Sequence, residues 1–275
     1  MDLNTIETVL RPRGRTDLQD WTDGDAFLAG GTWLFSEPQP GTRRLVDLAA
    51  LGWRPHTVEA QGLTLAATCT IAQLDRLELP GDWIAAPLVA QSCRALLGSF
   101  KIWNVATVGG NLCLALPAGP MIALATALEA VCTIWSADGM ERTLPVTDFV
   151  LGPQRNALGP GEILRSLSMP AFAFGRRTAF RRASLSPNGR SGALLIGTRD
   201  RDGGFALTVT ASVKRPFRLT FAGWPDTDTL AEALDAAIPD DAYYDDVHGR
   251  PDWRRHVTRH LAHEVRDALA EEAAA

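Results

Sequence analysis

Two pairs of consecutive glycines are the residues of this sequence best suited to chemistry, because glycine accepts positive φ angles and lets the backbone approach a ligand closely. One pair lies in LAGGTWL (residues 28–34, the first glycine segment), and the other in TVGGNL (residues 107–112, the second glycine segment). Each pair follows an apolar run, so both are expected to lie in turns. N–H groups in such turns can converge on an anion. Two turns of this kind could hold the two phosphates of a pyrophosphate.

Either pair alone is explained equally well by a tight turn without a ligand. The two pairs together favour a dinucleotide site, since each is followed by a small hydrogen-bonding residue, Thr32 or Asn111. The sequence has neither a Gly-Lys-Ser/Thr phosphate loop nor a Gly-x-Gly-x-x-Gly motif at a helix start. P-loop nucleotidases and Rossmann proteins are therefore excluded.

Both glycine segments resemble the FAD-pyrophosphate segments of the medium, flavin-binding subunit of molybdenum hydroxylases, the xanthine dehydrogenase and carbon monoxide dehydrogenase group. The second match extends over residues 104–113 (NVATVGGNLC). Other landmarks of the family follow in its order, so the resemblance covers nearly the whole chain: LVDL at 45–48, LAATCT at 65–70, DFVLG at 148–152 and PGEIL at 160–164.

The resemblance implies an α+β fold in two domains. Residues 1–174 would form a two-lobed FAD-binding domain of the PCMH type, with a small α/β lobe over residues 1–50. Residues 175–275 would form a smaller C-terminal domain of the carbon monoxide dehydrogenase flavoprotein type.

Local residue patterns predict the elements of such a fold. Strand-like runs on either side of Gly62 and Gly139 predict hairpins. Apolar spacings of three and four predict an amphipathic helix over 83–97, and an all-round apolar stretch predicts a buried helix over 121–130. After a link at 171–175, four strands and two helices predict an antiparallel sheet with helices on one face.

The resemblance also implies an activity, that of an FAD-dependent oxidoreductase subunit. Electrons would leave a substrate at a molybdopterin-binding large subunit, cross [2Fe–2S] clusters in a small subunit, and reach an external acceptor through FAD on this chain. Molybdopterin and [2Fe–2S] are expected on the partner subunits only. Two alternatives stay open: a stand-alone flavin oxidoreductase of the same fold, and a non-catalytic scaffold subunit that has lost FAD. No motif identifies the substrate or the acceptor.

The family's cofactor contacts carry over to specific positions, and none of them is catalytic or a metal ligand. Leu97 falls near the adenine end of FAD, and Leu164 where the family approaches the isoalloxazine through backbone atoms. Arg181 falls where the family can have a lysine near the flavin, with a surface salt bridge as the alternative. The pyrophosphate contacts implied are Leu28, Ala29, Gly30, Gly31, Thr32, Trp33, Leu34, Thr107, Val108, Gly109, Gly110 and Asn111.

Two positions depart from the family pattern. Trp33 occupies a position that is usually small or acidic, where an indole would shield the flavin or pack against a partner. Pro120 replaces an aspartate that contacts the cofactor. Proline has neither a side-chain acceptor nor an N–H group, so one hydrogen bond to FAD is lost or supplied elsewhere.

Composition argues against several other functions. The 275 residues are 46% hydrophobic and 21% charged, as in ordinary soluble domains. A net charge of -5 argues against a nucleic-acid binder. A local basic cluster nevertheless offers either solvated surface or a contact for a partner or a phosphate; it comprises Arg176, Arg177, Arg181, Arg182 and Arg190.

The sequence predicts a cytoplasmic protein without membrane association. No apolar run approaches the roughly 20 residues of a membrane helix, and the first residues lack the order of a signal peptide. The cysteines have no iron–sulfur spacing and are expected to be reduced and buried; they are Cys69, Cys93, Cys113 and Cys132.

Three histidines share one face of the predicted final helix, at 256, 260 and 263. Metal ligation is possible at this spacing. A solvated or partner-facing helix is favoured instead, because charged residues surround the histidines: Arg254, Arg255, Arg259 and Glu264.

Overall fold

The computed structural model describes residues 3–271 of the chain, so 1–2 and 272–275, the outer ends of the two predicted domains, lie outside the described residues. The N-terminal lobe is a parallel three-stranded sheet in the order β1–β3–β2. Within the described residues, 3₁₀ turns (Arg15–Leu18 and Leu48–Leu51) take the place of the α-helix expected for this lobe. Its strands are β1 (Thr8–Leu10), β2 (Asp25–Leu28) and β3 (Arg44–Asp47).

A five-stranded antiparallel sheet in the order β4–β5–β10–β6–β7 follows. Both predicted hairpins are confirmed here, the first with Gly62 at φ 144° and the second with Gly139 at φ 87°. The strands are β4 (His56–Glu59), β5 (Gly62–Ala66), β6 (Val131–Trp135), β7 (Glu141–Pro145) and β10 (Ile163–Pro170), with a ribbon of β8 (Val150–Gly152) and β9 (Arg155–Asn156) before β10.

The first seven helices pack around this sheet. The chain enters α1 through a capping box, in which Thr70 and Gln73 each accept a backbone N–H of the other. Every residue of α5 is buried, which explains why it is apolar all round. The helices are α1 (Ile71–Asp75), α2 (Ala86–Ala95), α3 (Phe100–Trp103), α4 (Val108–Leu114), α5 (Pro120–Ala127), α6 (Val146–Phe149) and α7 (Ala171–Phe174).

The C-terminal part is an antiparallel sheet in the order β11–β12–β13–β14, followed by two helices. Its two faces have different partners: Leu194 and Ile196 join the core that contains α5, while Leu195 joins a second core with α9. The sheet therefore has a helix layer on each face, and the prediction of helices on one face only is wrong, because α5 of the preceding part covers the other face. The elements are β11 (Arg177–Ala183), β12 (Ala193–Arg199), β13 (Phe205–Thr210), β14 (Phe217–Phe221), α8 (Thr227–Ala237) and α9 (Pro251–Glu271).

Ion pairs beside α5 join the C-terminal part to the part of the chain that contains the central sheet. Glu129 accepts hydrogen bonds from the guanidinium groups of Arg176 and Arg218, the latter at 2.8 Å, and Arg176 also pairs with Asp200 at 2.5 Å. Among the helices of residues 3–271, none is both long and apolar enough to cross a membrane.

Candidate cofactor-binding site

The two glycine segments meet where Gly30 packs against Val105 and Ala106, the residues that lead into the second segment. A Cβ atom on Gly30 would lie 1.8 Å from the carbonyl oxygen of Val105. Only glycine allows this approach, because real Cβ contacts do not occur below about 3 Å. Gly30 therefore determines how closely the first segment lies against the second.

The first glycine segment follows β2 as an open turn with unused donors. Gly31 has the positive φ, 68°, that the sequence predicts, and its carbonyl accepts the N–H of Phe35 at 2.9 Å. Within residues 3–271, the N–H groups of residues 30–34 have no acceptor in the protein. Five successive donors of this kind form a suitable site for phosphate oxygens.

The second glycine segment differs from the prediction of a turn with converging N–H groups. Gly109 and Gly110 lie in the first turn of α4, and a Cβ on Gly109 would lie 2.4 Å from that of Ala67. The N–H groups of Val108 and Gly109 donate to the carbonyls of Cys69 and Ala67 at 2.8 and 2.9 Å. This glycine pair therefore lets α4 pack closely against the turn after β5. Both of its N–H groups donate to acceptors within the protein, Ala67 O and Thr107 Oγ1.

Side chains supply the donors of the second segment instead. Thr107 caps α4 by accepting the Gly110 N–H at 3.0 Å, which leaves the hydroxyl hydrogen available. Asn111 Oδ1 accepts the Met121 N–H at the start of α5, at 3.1 Å. Its amide nitrogen then has two donors without an acceptor among the described residues.

Both segments line one cavity of about 740 Å³. That volume is within the range of about 300 to 1,000 Å³ typical of sites for small molecules. Apolar side chains form much of the wall, as ring systems require: Phe27, Ala95, Leu96, Leu97, Ile102, Ala106, Leu114, Leu116 and Ala118.

The C-terminal part completes the cavity, which sequence reasoning did not foresee beyond the general basic cluster. The connection between β11 and β12 contributes Ser186, Asn188, Gly189 and Arg190, and the loop before α9 contributes His248. Neither loop has a sequence motif, and both lie more than 70 residues after the second glycine segment. Tertiary packing alone brings them there.

Arg254 holds these two loops together and corrects the expectation of a solvated position on α9. It is 1% exposed and donates to the carbonyls of Gly192 (2.7 Å), Ala211 (2.6 Å) and Gly249 (2.8 Å). Its remaining nitrogen, Nη2, donates to the Asp246 carboxylate. These four guanidinium hydrogen bonds cross-link the segments that carry Arg190 and His248. Two other arginines of α9, Arg255 and Arg259, pair with Asp235 of α8.

The electrostatics of the cavity suit an anion. Within residues 3–271, no aspartate or glutamate lines it, and Arg190 is the one permanently charged side chain in its wall. Burial raises the pKa of the Cys113 thiol to about 12, so this wall residue stays neutral.

The structure brings most of the residues predicted as cofactor contacts to the cavity wall: Ala29, Gly30, Gly31, Thr32, Trp33, Leu34, Leu97, Thr107, Gly110 and Asn111. Pro120 begins α5 and is buried behind the wall. The remaining predicted contacts lie elsewhere: Leu28, Val108, Gly109, Leu164 and Arg181 are outside the lining residues. Leu164 is in the core of the central sheet, and Arg181 lies 3.5 Å from Glu264 on α9.

Residues 11–172 match the sequence profile of a family described as the FAD binding domain in molybdopterin dehydrogenase. The chain belongs to this family. A similar curated protein is xanthine dehydrogenase of Oryza sativa subsp. japonica, 40% identical over 125 residues, which are 41% of this chain and 9% of that protein. Another is the carbon monoxide dehydrogenase medium chain of Hydrogenophaga pseudoflava, 26% identical over 161 residues, 56% of this chain and 54% of the relative. The chain thus matches only part of the length of these relatives.

A solved structure shows the same fold over nearly the whole length of both chains. Quinoline 2-oxidoreductase from Pseudomonas putida 86 superposes with a TM-score of 0.80 over 99% of each chain, at 19% identity. The α+β fold predicted from the resemblance is therefore confirmed.

The cavity fits FAD, the cofactor after which the family is named. A dinucleotide needs hydrogen-bond donors for two phosphates and apolar surfaces for two ring systems, and the wall offers both. Residues 30–34 and Asn111 carry the unused donors, and no carboxylate repels the phosphates within the described part of the chain.

Proposed function

We propose that this chain is the flavin subunit of a molybdenum hydroxylase, which carries electrons from [2Fe–2S] clusters of a partner subunit through FAD to an external acceptor. One observation carries the proposal. Both glycine segments and two loops of the C-terminal part line a single cavity with free donors, apolar surfaces and no carboxylate among the described residues.

Each part of the wall has a binding role in this proposal. The N–H groups of residues 30–34 would hold phosphate oxygens, together with the Asn111 amide and the Thr107 hydroxyl. The apolar residues of the wall would orient the rings, and Trp33 would exclude water from them. Bound FAD would supply the redox chemistry, the exchange of electrons one or two at a time. The chain itself contributes position and electrostatics.

Partners follow from the chemistry of the cysteines. All four are free, and burial raises the pKa of each thiol to about 12: Cys69, Cys93, Cys113 and Cys132. Thiolates are the ligands of iron–sulfur clusters, so these residues are poor candidates for ligation. We therefore assign the [2Fe–2S] clusters to a small subunit and, as the family resemblance implies, molybdopterin to a large subunit. The name "medium chain" of the carbon monoxide dehydrogenase relative supports one larger and one smaller companion subunit.

We also propose the division into an FAD-binding domain at 1–174 and a C-terminal domain at 175–275. The boundary falls directly after α7, where the chain passes from the central sheet to the C-terminal sheet. The cytoplasmic location stays a prediction from the sequence.

Affinity purification of the tagged chain from its own cells tests the proposal. The eluate should contain flavin, molybdenum and iron in a fixed ratio, measured by absorption and elemental analysis. Two companion polypeptides should co-elute through gel filtration. A chain that purifies alone and still turns over a reductant would contradict the subunit assignment and favour the stand-alone oxidoreductase. A complex with molybdenum and iron but no flavin would favour the scaffold.

A further inference from the structure

The charge of a bound dinucleotide has one candidate partner in the cavity wall. The donors of residues 30–34, Thr107 and Asn111 are neutral, whereas a pyrophosphate carries two negative charges. Arg190 is the permanently charged side chain of the wall within residues 3–271, and it has no ion-pair or hydrogen-bond partner there. Three other arginines of the basic cluster have partners: Arg176 binds Glu129 and Asp200, Arg181 lies beside Glu264, and Arg182 donates to the Gly189 carbonyl.

The backbone of the loop that carries Arg190 is held by hydrogen bonds, while the Arg190 side chain itself is exposed. The loop closes on itself through the Gly189 N–H, which donates to the Ser186 carbonyl at 2.9 Å. Two residues after Arg190, the Gly192 N–H donates to the Ala183 carbonyl at 2.8 Å. Arg254 binds the Gly192 carbonyl at 2.7 Å. The loop is therefore anchored at both ends.

The same anchor places Arg190 against the FAD-binding part. Arg254 also binds the carbonyl of Ala211, whose N–H donates to the Pro117 carbonyl at 2.8 Å. Arg190 lines a small space of about 30 Å³ next to the turn that contains Pro117. Asp246 lines that space as well, but its carboxylate is bound to Arg254. Arg190 thus remains free to bind another anion.

We propose that Arg190 is the cationic contact for the pyrophosphate of FAD, so that the C-terminal domain takes part in binding the cofactor's phosphates. This inference rests on the proposed function. A guanidinium matches phosphate in a bidentate manner, and charge-assisted hydrogen bonds are about twice as strong as neutral ones. An inter-domain contact of this kind also holds the two parts together around the ligand.

The test compares the binding of two flavins to the 275-residue chain, purified together with the companion polypeptides that co-elute with it. Dissociation constants are measured by quenching of flavin fluorescence for FAD and for riboflavin, which lacks phosphate. Arg190→Gln should weaken FAD binding by about 10- to 100-fold, the range for a lost hydrogen bond to a charged group. Riboflavin binding should be unchanged, and Arg190→Lys should recover part of the affinity for FAD.

Arg201→Gln is the matched control, because it removes the same charge from another exposed arginine. Arg201 lies in the turn at the opposite end of β12. The control variant should leave both dissociation constants unchanged, and circular dichroism verifies the fold of all three variants. Equal losses of affinity for FAD and riboflavin, or no loss in Arg190→Gln, would overturn this contact while leaving the proposed function of the chain standing. Failure of the unmodified protein to bind either flavin would overturn the proposed function together with this contact.

Discussion

Asn111 shows how one side chain serves both the fold and the ligand. Its carbonyl oxygen caps α5 through the Met121 N–H, and its amide nitrogen remains unpaired at the cavity wall. The two tasks use different atoms of the same amide, so they can be separated by substitution.

Asn111→Asp should separate them. The carboxylate keeps the acceptor for the Met121 N–H and favours the helix start, so the melting temperature should not fall. The two donors are replaced by a negative charge facing the phosphates, and FAD affinity should fall at least about tenfold. Asn111→Ala is the companion variant, which should lose both stability and affinity. Unchanged FAD affinity in Asn111→Asp would remove Asn111 from the site.

Gly30→Ala tests the contact between the two glycine segments. The added methyl group would meet the Val105 carbonyl at 1.8 Å, so the first segment must move away. We expect a loss of about 1 to 3 kcal/mol in the free energy of unfolding, typical of overpacking, together with release of flavin. Denaturant titration and flavin content measure the two effects. Gly41→Ala is the control, since its Cβ meets nothing within 4 Å.

At the scale of elements, β2 and β3 carry the first glycine segment, and an ion pair holds them in register. Arg44 donates to both carboxylate oxygens of Asp25, at 2.7 and 2.6 Å, and the Asp25 side chain is 1% exposed. Hydrogen bonds from Arg44 lower the pKa of Asp25, against the opposing effect of burial. The ionised pair therefore stabilises the lobe.

Asp25→Asn should lower the free energy of unfolding by about 2 to 3 kcal/mol at pH 7, as expected for hydrogen bonds to a charged group. Because the folded pKa is below the unfolded value of about 3.9, the stabilisation is complete above that value and is lost as the pH falls through the folded pKa. The difference between the two proteins should thus shrink below about pH 4. Urea titrations at pH 7 and pH 3.5 measure it, and a pH-independent difference would contradict the assignment.

The elements themselves were largely predictable from the sequence, but the second glycine segment was not. Hairpins and α5 follow from alternation and apolar runs, which act locally. Two glycines disfavour a helix by about 1 kcal/mol each, yet Gly109 and Gly110 lie in the first turn of α4. Contact between Gly109 and Ala67 overrides that local preference, because only a residue without a side chain fits there. Such a contact cannot be derived from the neighbouring sequence.

On the scale of the whole molecule, α5 lies between two sheets and couples the predicted domains. It packs against β12 and β13, and Leu194 and Ile196 of β12 belong to the same core as α5. Glu129, just after α5, binds Arg176 and Arg218 of the C-terminal part. The two parts share apolar and charged contacts in addition to the cavity.

A fragment of residues 175–275 should therefore fail to fold cooperatively on its own. Removing α5 exposes Leu194 and Ile196, which are at most 1% exposed in the whole chain, and leaves Arg218 without Glu129. Circular dichroism during heating should show no sharp transition, in contrast to the 275-residue chain. A cooperative transition in the fragment would show that the coupling through α5 is dispensable.

The site could be predicted only in part, because several of its residues are distant in sequence and are brought together by the tertiary fold. Arg181 and Arg190 belong to one basic cluster, but only the latter lines the cavity, because a loop after β11 carries it there. Arg254 had a recognisable signal: Thr258 and Ala262 follow at helical spacing, and this stripe is the buried face of α9. A guanidinium on an apolar stripe predicts buried partners, whose identity depends on the tertiary fold.

The visible absorption spectrum of the purified chain, taken after incubation with FAD and gel filtration, tests the central claim most directly. Flavin bands should persist in the unmodified protein, near one flavin per chain, and should be lost in Gly110→Val, where even a Cβ would lie 2.9 Å from Thr107 Oγ1. Bands that appear only in the complex with partner subunits would place the completion of the site at their interface. A colourless chain both alone and in its complex would contradict the assignment of the cavity to FAD.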